Sequence, residues 1–339
     1  MWTRIFTLIG IAFLCSCGSE KLQTYYLPDF EIESEAKKVI IVPELLIQFP
    51  YDICAYNNNI YLLAEDEGKW LHVYDQNSGD KIGSFVDKGQ SPQELVFGYS
   101  MQIDPNNDQV SIYDCSQQKI STYILNSDTC IYDSNSSFAE FSSVLDNVYP
   151  INNNSYFVSG ETNIKGERKC RFQIVKNGKI ESSYAHYPIE DKFKSIFTSG
   201  LSTSVSPSMK KMCSSTLYGG ILEFFDIDKG ISHRKSNLIF EPQGIFNGYS
   251  FEPNEQTTYG FSDIYATDKT VYAVMIGSKD PNANSIITTW DWNGNPIGHY
   301  RTKDIICKIC VNQNNELFAV IYDKEIGFQI IKYDLNENT

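Results

Sequence analysis

Histidine is scarce in this 339-residue chain: His72, His186, His233 and His299 are all there are. No two of them stand at the spacing of a shared metal, which excludes helix-borne zinc hydrolase signatures. A G-x-S-x-G elbow is also missing, and with it the strand-turn-helix serine hydrolase motif. Positive charge is short, with 28 Lys and Arg against 42 Asp and Glu and a formal net charge of -14. A phosphate backbone needs clustered cations, so nucleic acid is not expected as a partner. Helical periodicity persists nowhere for long. After the first residues, no apolar run approaches the roughly 20 residues of a spanning helix.

What the chain has in abundance is short strand-like runs punctuated by Asn, Asp and Gly. Between Tyr51 and Phe85 four runs, Tyr51 to Tyr56, Ile60 to Leu63, Lys69 to Tyr74 and Lys81 to Phe85, are separated by Asn57-Asn58-Asn59, Ala64 to Gly68 and Asp75 to Asp80. The runs carry β-branched and aromatic residues, and the separators carry residues that tolerate φ > 0 or bond their own backbone. This predicts one antiparallel meander sheet. Matching inner turns recur at Asn57, Asn106, Asn153, Ser208, Asp268 and Asn314, at separations of 49, 47, 55, 60 and 46 residues. The Asn293-Gly294 dipeptide is a strong hairpin signal within the fifth unit. The sixth unit has only Ile306 to Val311, Glu316 to Ile321 and Phe328 to Tyr333 before the chain ends. Far upstream, Lys38-Val39-Ile40-Ile41-Val42 is strand-like and has no unit of its own. An unpaired edge exposes N–H and C=O groups, so this strand is expected to complete the last sheet and close a ring. The predicted fold is all-β: a six-bladed β-propeller of four-stranded antiparallel blades over residues 37–339.

The amino terminus follows another rule. Arg4, the apolar run Ile5 to Leu14 and the closing Leu14-Cys15-Ser16-Cys17 have the three-part order of an export signal over residues 1–16. The tetrapeptide resembles a bacterial lipobox, and that resemblance implies that Cys17 is diacylated and anchors the chain to a membrane, with residues 17–36 as a tether. Lack of Asp after Cys17 resembles outer-membrane lipoproteins of Gram-negative cells. The remaining cysteines, Cys54, Cys115, Cys130, Cys170, Cys213, Cys307 and Cys310, are odd in number and irregularly spaced, which argues against a complete disulfide framework. Cys307-Lys308-Ile309-Cys310 fits a C-x-x-C pattern, but on a strand positions i and i+3 face opposite sides, so no thiol pair is expected.

Taken together, the Cys17 motif, the loop Gly89-Gln90-Ser91-Pro92-Gln93-Glu94-Leu95 and the stretch Gly219-Gly220-Ile221-Leu222-Glu223-Phe224-Phe225-Asp226 resemble the TolB-like six-bladed β-propeller lipoproteins of Gram-negative bacteria. The loop departs from the usual form in having Gln93 where a Gly precedes the Glu. In such propellers, loops from outer strand to next inner strand share a face with those joining the second and third strands, and that face binds ligands. Here it would be built from Asp87 to Gly98, Asp133 to Ser143, His186 to Phe197, Phe246 to Tyr259 and Thr302 to Asp304. Candidate ligand-face residues are Lys88, Glu94, His186, Tyr187, Phe193, Tyr249, Phe251 and Tyr259, whose aromatic members would line a mouth or pack under their own loops.

The reading from sequence is therefore a non-catalytic, membrane-anchored binding propeller for a peptide, glycan or envelope partner protein, with no cofactor and no metal. Two other readings stay open. One is a scaffold of an envelope complex. The other is a Ca²⁺-dependent lactonase or lyase of the six-bladed class, for which Asp52, Asp104 and Asp263 are candidates. Those three residues fall at unlike positions relative to their turns and are not expected to converge. Asp75 to Asp80 resembles a Ca²⁺ loop only faintly, since Val86 stands where a bidentate Glu is needed, and is expected to be a hairpin turn.

Overall fold

Tight turns set the architecture. Asn57 and Asn58 hold φ of 47° and 62°, in the left-handed region that Asn tolerates, and fold Pro50–Tyr56 back onto Asn59–Asp66. Asp75 Oδ1 accepts the N–H groups of Asn77 and Ser78 at 2.8 Å each, so the stretch after it is a hairpin turn, as its sequence predicts. The computed structural model describes residues 24–126, 128–137, 141, 145–152, 154–162, 170–247 and 250–335.

Six antiparallel sheets follow one another around a ring. Blade 1 is Pro50–Tyr56, Asn59–Asp66, Lys69–Asp75 and Lys81–Asp87. Blade 2 is Gly98–Asp104, Gln109–Asp114, Lys119–Leu125 and Cys130–Ser137. Blade 3 is Asn147–Asn152, Ser155–Thr162, Cys170–Lys176 and Lys179–Tyr184. Blade 4 is Leu201–Val205, Lys211–Thr216, Ile221–Asp226 and Ser232–Leu238. Blade 5 is Tyr259–Ala266, Thr270–Ser278, Ile286–Asp291 and Pro296–Arg301. Blade 6 has Ile305–Val311, Leu317–Asp323 and Gly327–Asp334.

Lys37–Leu45 completes blade 6 antiparallel to Gly327–Asp334, with Ile40 opposite Ile331 and Val42 opposite Ile330. Val42 and Leu45 are buried against Ile53, Ile60, Leu62, Phe318 and Ile330 in the seam between blades 6 and 1. Fully burying such a side chain contributes roughly 1.5–3 kcal/mol, so the closing strand is held by packing as well as by its ladder. A Cβ on Gly79, whose φ is +75°, would collide with the Ile41 carbonyl, so this turn admits the closing strand only because it carries glycine.

Between blades the pleat is buried on both faces. Residues 59–64 of blade 1 are all buried, which explains why the middle strands read as continuous apolar runs and not as alternating ones. Blades 4 and 5 approach through backbone: Gly220 has φ +55°, and a Cβ on Gly260 would collide with its Cα.

One strand is additional to the expectation. Ile32–Glu35 pairs in parallel with Gly298 to Arg301, giving blade 5 a fifth strand. Upstream of it, Phe30 lies 5.3 Å from both Trp290 and His299, and the Tyr26 N–H donates to Leu238 O at 2.9 Å. The part of the expected tether that is described thus runs along blades 4 and 5 and covers an edge. The positions of the expected signal and of Cys17 lie outside the described residues.

Candidate functional site

The six inner strands enclose a channel of about 660 Å³. Its wall includes Phe49, Tyr51 and Tyr99 at the start of the inner strands of blades 1 and 2, then Asp52, Ser100, Gln102, Tyr149, Asp263, Tyr265, Cys307 and Lys308 at depth. A charged group sits here because two inner strands carry an Asp in the same register. Asp52 and Asp263 each stand five residues before their turn residues, Asn57 and Asp268. This corrects the expectation of unlike positions, which holds only for Asp104.

Both carboxylates tie one blade to the next. Asp52 accepts the N–H of Ile53 and, across the seam, that of Met101 in blade 2, each at 2.8 Å. Asp263 accepts the N–H of Ile309 in blade 6 at 2.8 Å, and its other oxygen accepts from the Lys308 ammonium at 3.1 Å. Ser204 does the same between blades 4 and 5, accepting the Ala266 N–H at 3.0 Å.

Burial sets the electrostatics. It pushes the Asp52 carboxyl up to about 6, while Lys308 and the Met101 N–H pull it back. Asp263 is also raised by burial, against the pull of Lys308 and the Ile309 N–H. Burial works against the Lys308 ammonium, yet Asp263 and Asp52 outweigh it and hold its pKa above the ordinary lysine value. At the first turn into blade 3, burial alone pushes Asp146 up to about 7. Ser100 Oγ and Gln102 Oε1, both on the channel wall, are buried without a hydrogen-bond partner, and Ser100 is only 4% exposed.

These residues do not fit a Ca²⁺ site. That ion takes 6–8 oxygen ligands. Here the inner strands bring only two carboxylates together, and one of them, Asp263, already holds the Lys308 ammonium. Asp104 is elsewhere, capping its own turn through Asn106 N at 2.9 Å and Asn107 Nδ2 at 2.7 Å. Among the described residues, no group of three or more His, Cys, Asp or Glu is placed to hold a metal.

Aromatic rings surround the channel mouth at blades 1 and 2. Tyr51 contacts Phe49 at 5.3 Å and Phe97 at 5.0 Å, and Phe97 stacks with Tyr99 at 6.4 Å. Phe49 is 49% and Tyr99 39% exposed. Sequence reasoning missed this shelf. Its signal was an aromatic residue opening two successive inner strands.

The aromatic residues expected to line a mouth are gathered over blades 3 and 4 and turned inward. Tyr187 packs on Phe197 at 5.2 Å, Phe193 on Phe246 at 5.0 Å, and Phe251 on Tyr218 at 4.4 Å, with Tyr259 5.7 Å from Tyr218. Phe193 and Phe251 are buried. Beneath them the buried Arg171 and Glu223 form an ion pair across blades 3 and 4, and the guanidinium lies 4.1 Å from the Phe197 ring centre. His186 joins this cap through its backbone, its carbonyl accepting from Arg171 Nη1 at 2.7 Å, and its ring abuts Tyr184 at 5.6 Å. Lys88 and Glu94 lie apart from it, on blade 1. Lys88 pairs with Glu65 at 3.2 Å, and Glu94 accepts the Ser91 N–H at 2.9 Å, which shapes its own loop. Tyr249 lies outside the described residues. Cys307 lines the channel while Cys310 is buried in the seam between blades 6 and 1, and both thiols are free.

Comparison with known proteins accords with this geometry. The profile of TolB-like 6-blade propeller-like proteins matches residues 29–314. Among solved structures, a Bacteroides fragilis protein described as exported superposes with TM-score 0.57 at 11% identity, covering 90% of this chain and 99% of its own. A member of the DUF4221 family from Bacteroides vulgatus gives 0.57 at 11% identity, covering 88% and 98%. A gluconolactonase from Xanthomonas campestris gives 0.51 at 10% identity, covering 89% and 90%. At such identities the likeness is one of fold. Comparison with curated proteins finds no match.

Proposed function

Because the chain belongs to the TolB-like 6-blade propeller family, we propose that it is a binding propeller of the cell envelope that receives its ligand at the channel mouth of blades 1 and 2. The observation that carries this reading is the shelf of exposed Phe49 and Tyr99 with half-buried Tyr51, which opens onto a channel wall that carries Asp52, Ser100 and Gln102. Solvent-facing rings beside a concave polar surface are what a peptide or sugar ligand uses for contact and orientation. The small number of carboxylates on the wall, one of them already paired with Lys308, favours binding over Ca²⁺-dependent lactone or lyase chemistry.

Export and anchoring rest on the amino-terminal pattern. Leu14-Cys15-Ser16-Cys17 supports lipidation at Cys17 and an outer-membrane lipoprotein. Substituting Cys17→Ala should move the protein from the membrane to the soluble fraction on cell fractionation. For the mouth, a thermal-shift screen of peptides and neutral oligosaccharides should give hits in the wild type that vanish in Phe49→Ala/Tyr99→Ala. Gluconolactone hydrolysis that depends on added Ca²⁺ and is lost in Asp52→Asn would overturn the reading.

A further inference from the structure

Besides Asp268 and Lys269 at the inner turn of blade 5, the channel wall carries the carboxylates of Asp52 and Asp263 and the ammonium of Lys308, and that ammonium is on Asp263. Among the described residues Asp52 makes no ion pair, its oxygens meeting only the N–H groups of Ile53 and Met101. Each carboxylate oxygen has a second lone pair, so Asp52 retains acceptor capacity toward the channel. The other unsatisfied groups nearby are Ser100 Oγ, in a residue 4% exposed, and Gln102 Oε1, both on the same strand of blade 2. Asp52 and Gln102 Oε1 can only accept, and the Ser100 hydroxyl can accept as well as donate. The side chains that are donors only, with several N–H groups and positive charge, are those of lysine and arginine.

Resting on the channel-mouth reading above, we propose that the mouth takes a lysine or arginine side chain of a partner polypeptide, the cation on Asp52 and its stem against Tyr51 and Tyr99. Aromatic faces attract such cations, and their aliphatic stems cover apolar surface. The exposed Phe49 beyond them is apolar surface that one amine would not cover and gives the partner's neighbouring residue a place to rest. The net charge of -14 steers a basic partner toward the ring. Lys308 limits the affinity, since it competes for the same carboxylates.

Isothermal titration of the full chain with N-acetyl-Phe-Lys-amide tests this, with N-acetyl-Phe-norleucine-amide and N-acetyl-Phe-Glu-amide as probes of equal reach. The lysine dipeptide should bind at least about tenfold more tightly than either. Asp52→Asn should reduce that preference to less than about twofold, and Lys308→Met should strengthen lysine binding severalfold, an opposite sign that misfolding does not produce. Equal affinity of the lysine and norleucine dipeptides, or a preference that survives Asp52→Asn in a protein of unchanged circular dichroism, overturns the inference. Should the norleucine dipeptide bind as well as the lysine one and both be lost in Tyr99→Ala, the mouth stands and the cation assignment falls. Should neither bind, the inference falls and the mouth is decided by the screen of peptides and oligosaccharides.

Discussion

Over blades 3 and 4, Tyr187 and Phe197 lay their rings on Arg171 while Phe193 and Phe251 bury theirs in the adjoining cluster, whereas over blades 1 and 2 Phe49, Tyr51 and Tyr99 leave theirs at the channel mouth. The residue types are alike, but the loops are not. The connection out of blade 3 is long enough to hold a 3-10 turn, Asp191–Phe197, and the one out of blade 4 holds the small hairpin Ile245–Phe246 with Phe251–Glu252. Long loops fold over their own rings and make a local core. The link from blade 6 into blade 1 is short, residues 46–49, and has nothing with which to cover Phe49. Aromatic rings in these connections therefore form a local core where the loop folds back over them, as out of blades 3 and 4, and stay open where, as at Phe49, no residues are left to cover them.

That contrast can be broken at several points. The largest effect is expected at the buried pair: Arg171→Ala leaves Glu223 uncompensated and should cost about 3–5 kcal/mol in urea unfolding. The double change Arg171→Leu/Glu223→Leu should recover most of that loss, because the desolvation cost disappears with the charges. Next, Phe193→Ala should open a cavity in the cap and cost about 3 kcal/mol. The same truncation at the mouth, Tyr99→Ala, should change stability by no more than about 0.5 kcal/mol while abolishing ligand contact.

A pH effect comparable in size to the first of these comes from Asp146. Burial raises the Asp146 carboxyl to about 7, above its unfolded value. The folded state then holds the proton more tightly than the unfolded one, so this group contributes stability at low pH and loses it as pH rises through about 7. Asp146→Asn should gain on the wild type by up to about 1.4 kcal/mol per pH unit from about pH 4 to about pH 7, and the difference should level off above that. Parallel unfolding curves at pH 5 and pH 8 for both proteins would check the sign.

The blades were legible because each turn carries its own chemistry: Asn57-Asn58 and Asn293-Gly294 declare themselves without tertiary context. The closing strand was legible as a remainder, one strand short at one end and one strand spare at the other. Ile32–Glu35 was not, because a parallel edge strand needs no adjacent turn and its acidic alternation reads as a solvated segment. At the site, the common register of Asp52 and Asp263 was present in the spacing to Asn57 and Asp268. The placement of Lys308 between them was not, since a register shift between Ile306 and Lys308 changes which side chains of that strand face the channel. Which aromatic rings are covered depends on how the loops fold back, and that is decided by packing that no local pattern reports.

Hydroxyl-radical footprinting of the full chain, with and without N-acetyl-Phe-Lys-amide, bears most directly on where the ligand goes. Phe49 and Tyr99 should be oxidised quickly and become protected by the dipeptide, while Phe193, Phe197 and Phe251 should react slowly in both conditions. Fast oxidation of Phe193 and Phe251 with protection there, and none at Phe49 and Tyr99, would contradict the assignment of the mouth to blades 1 and 2.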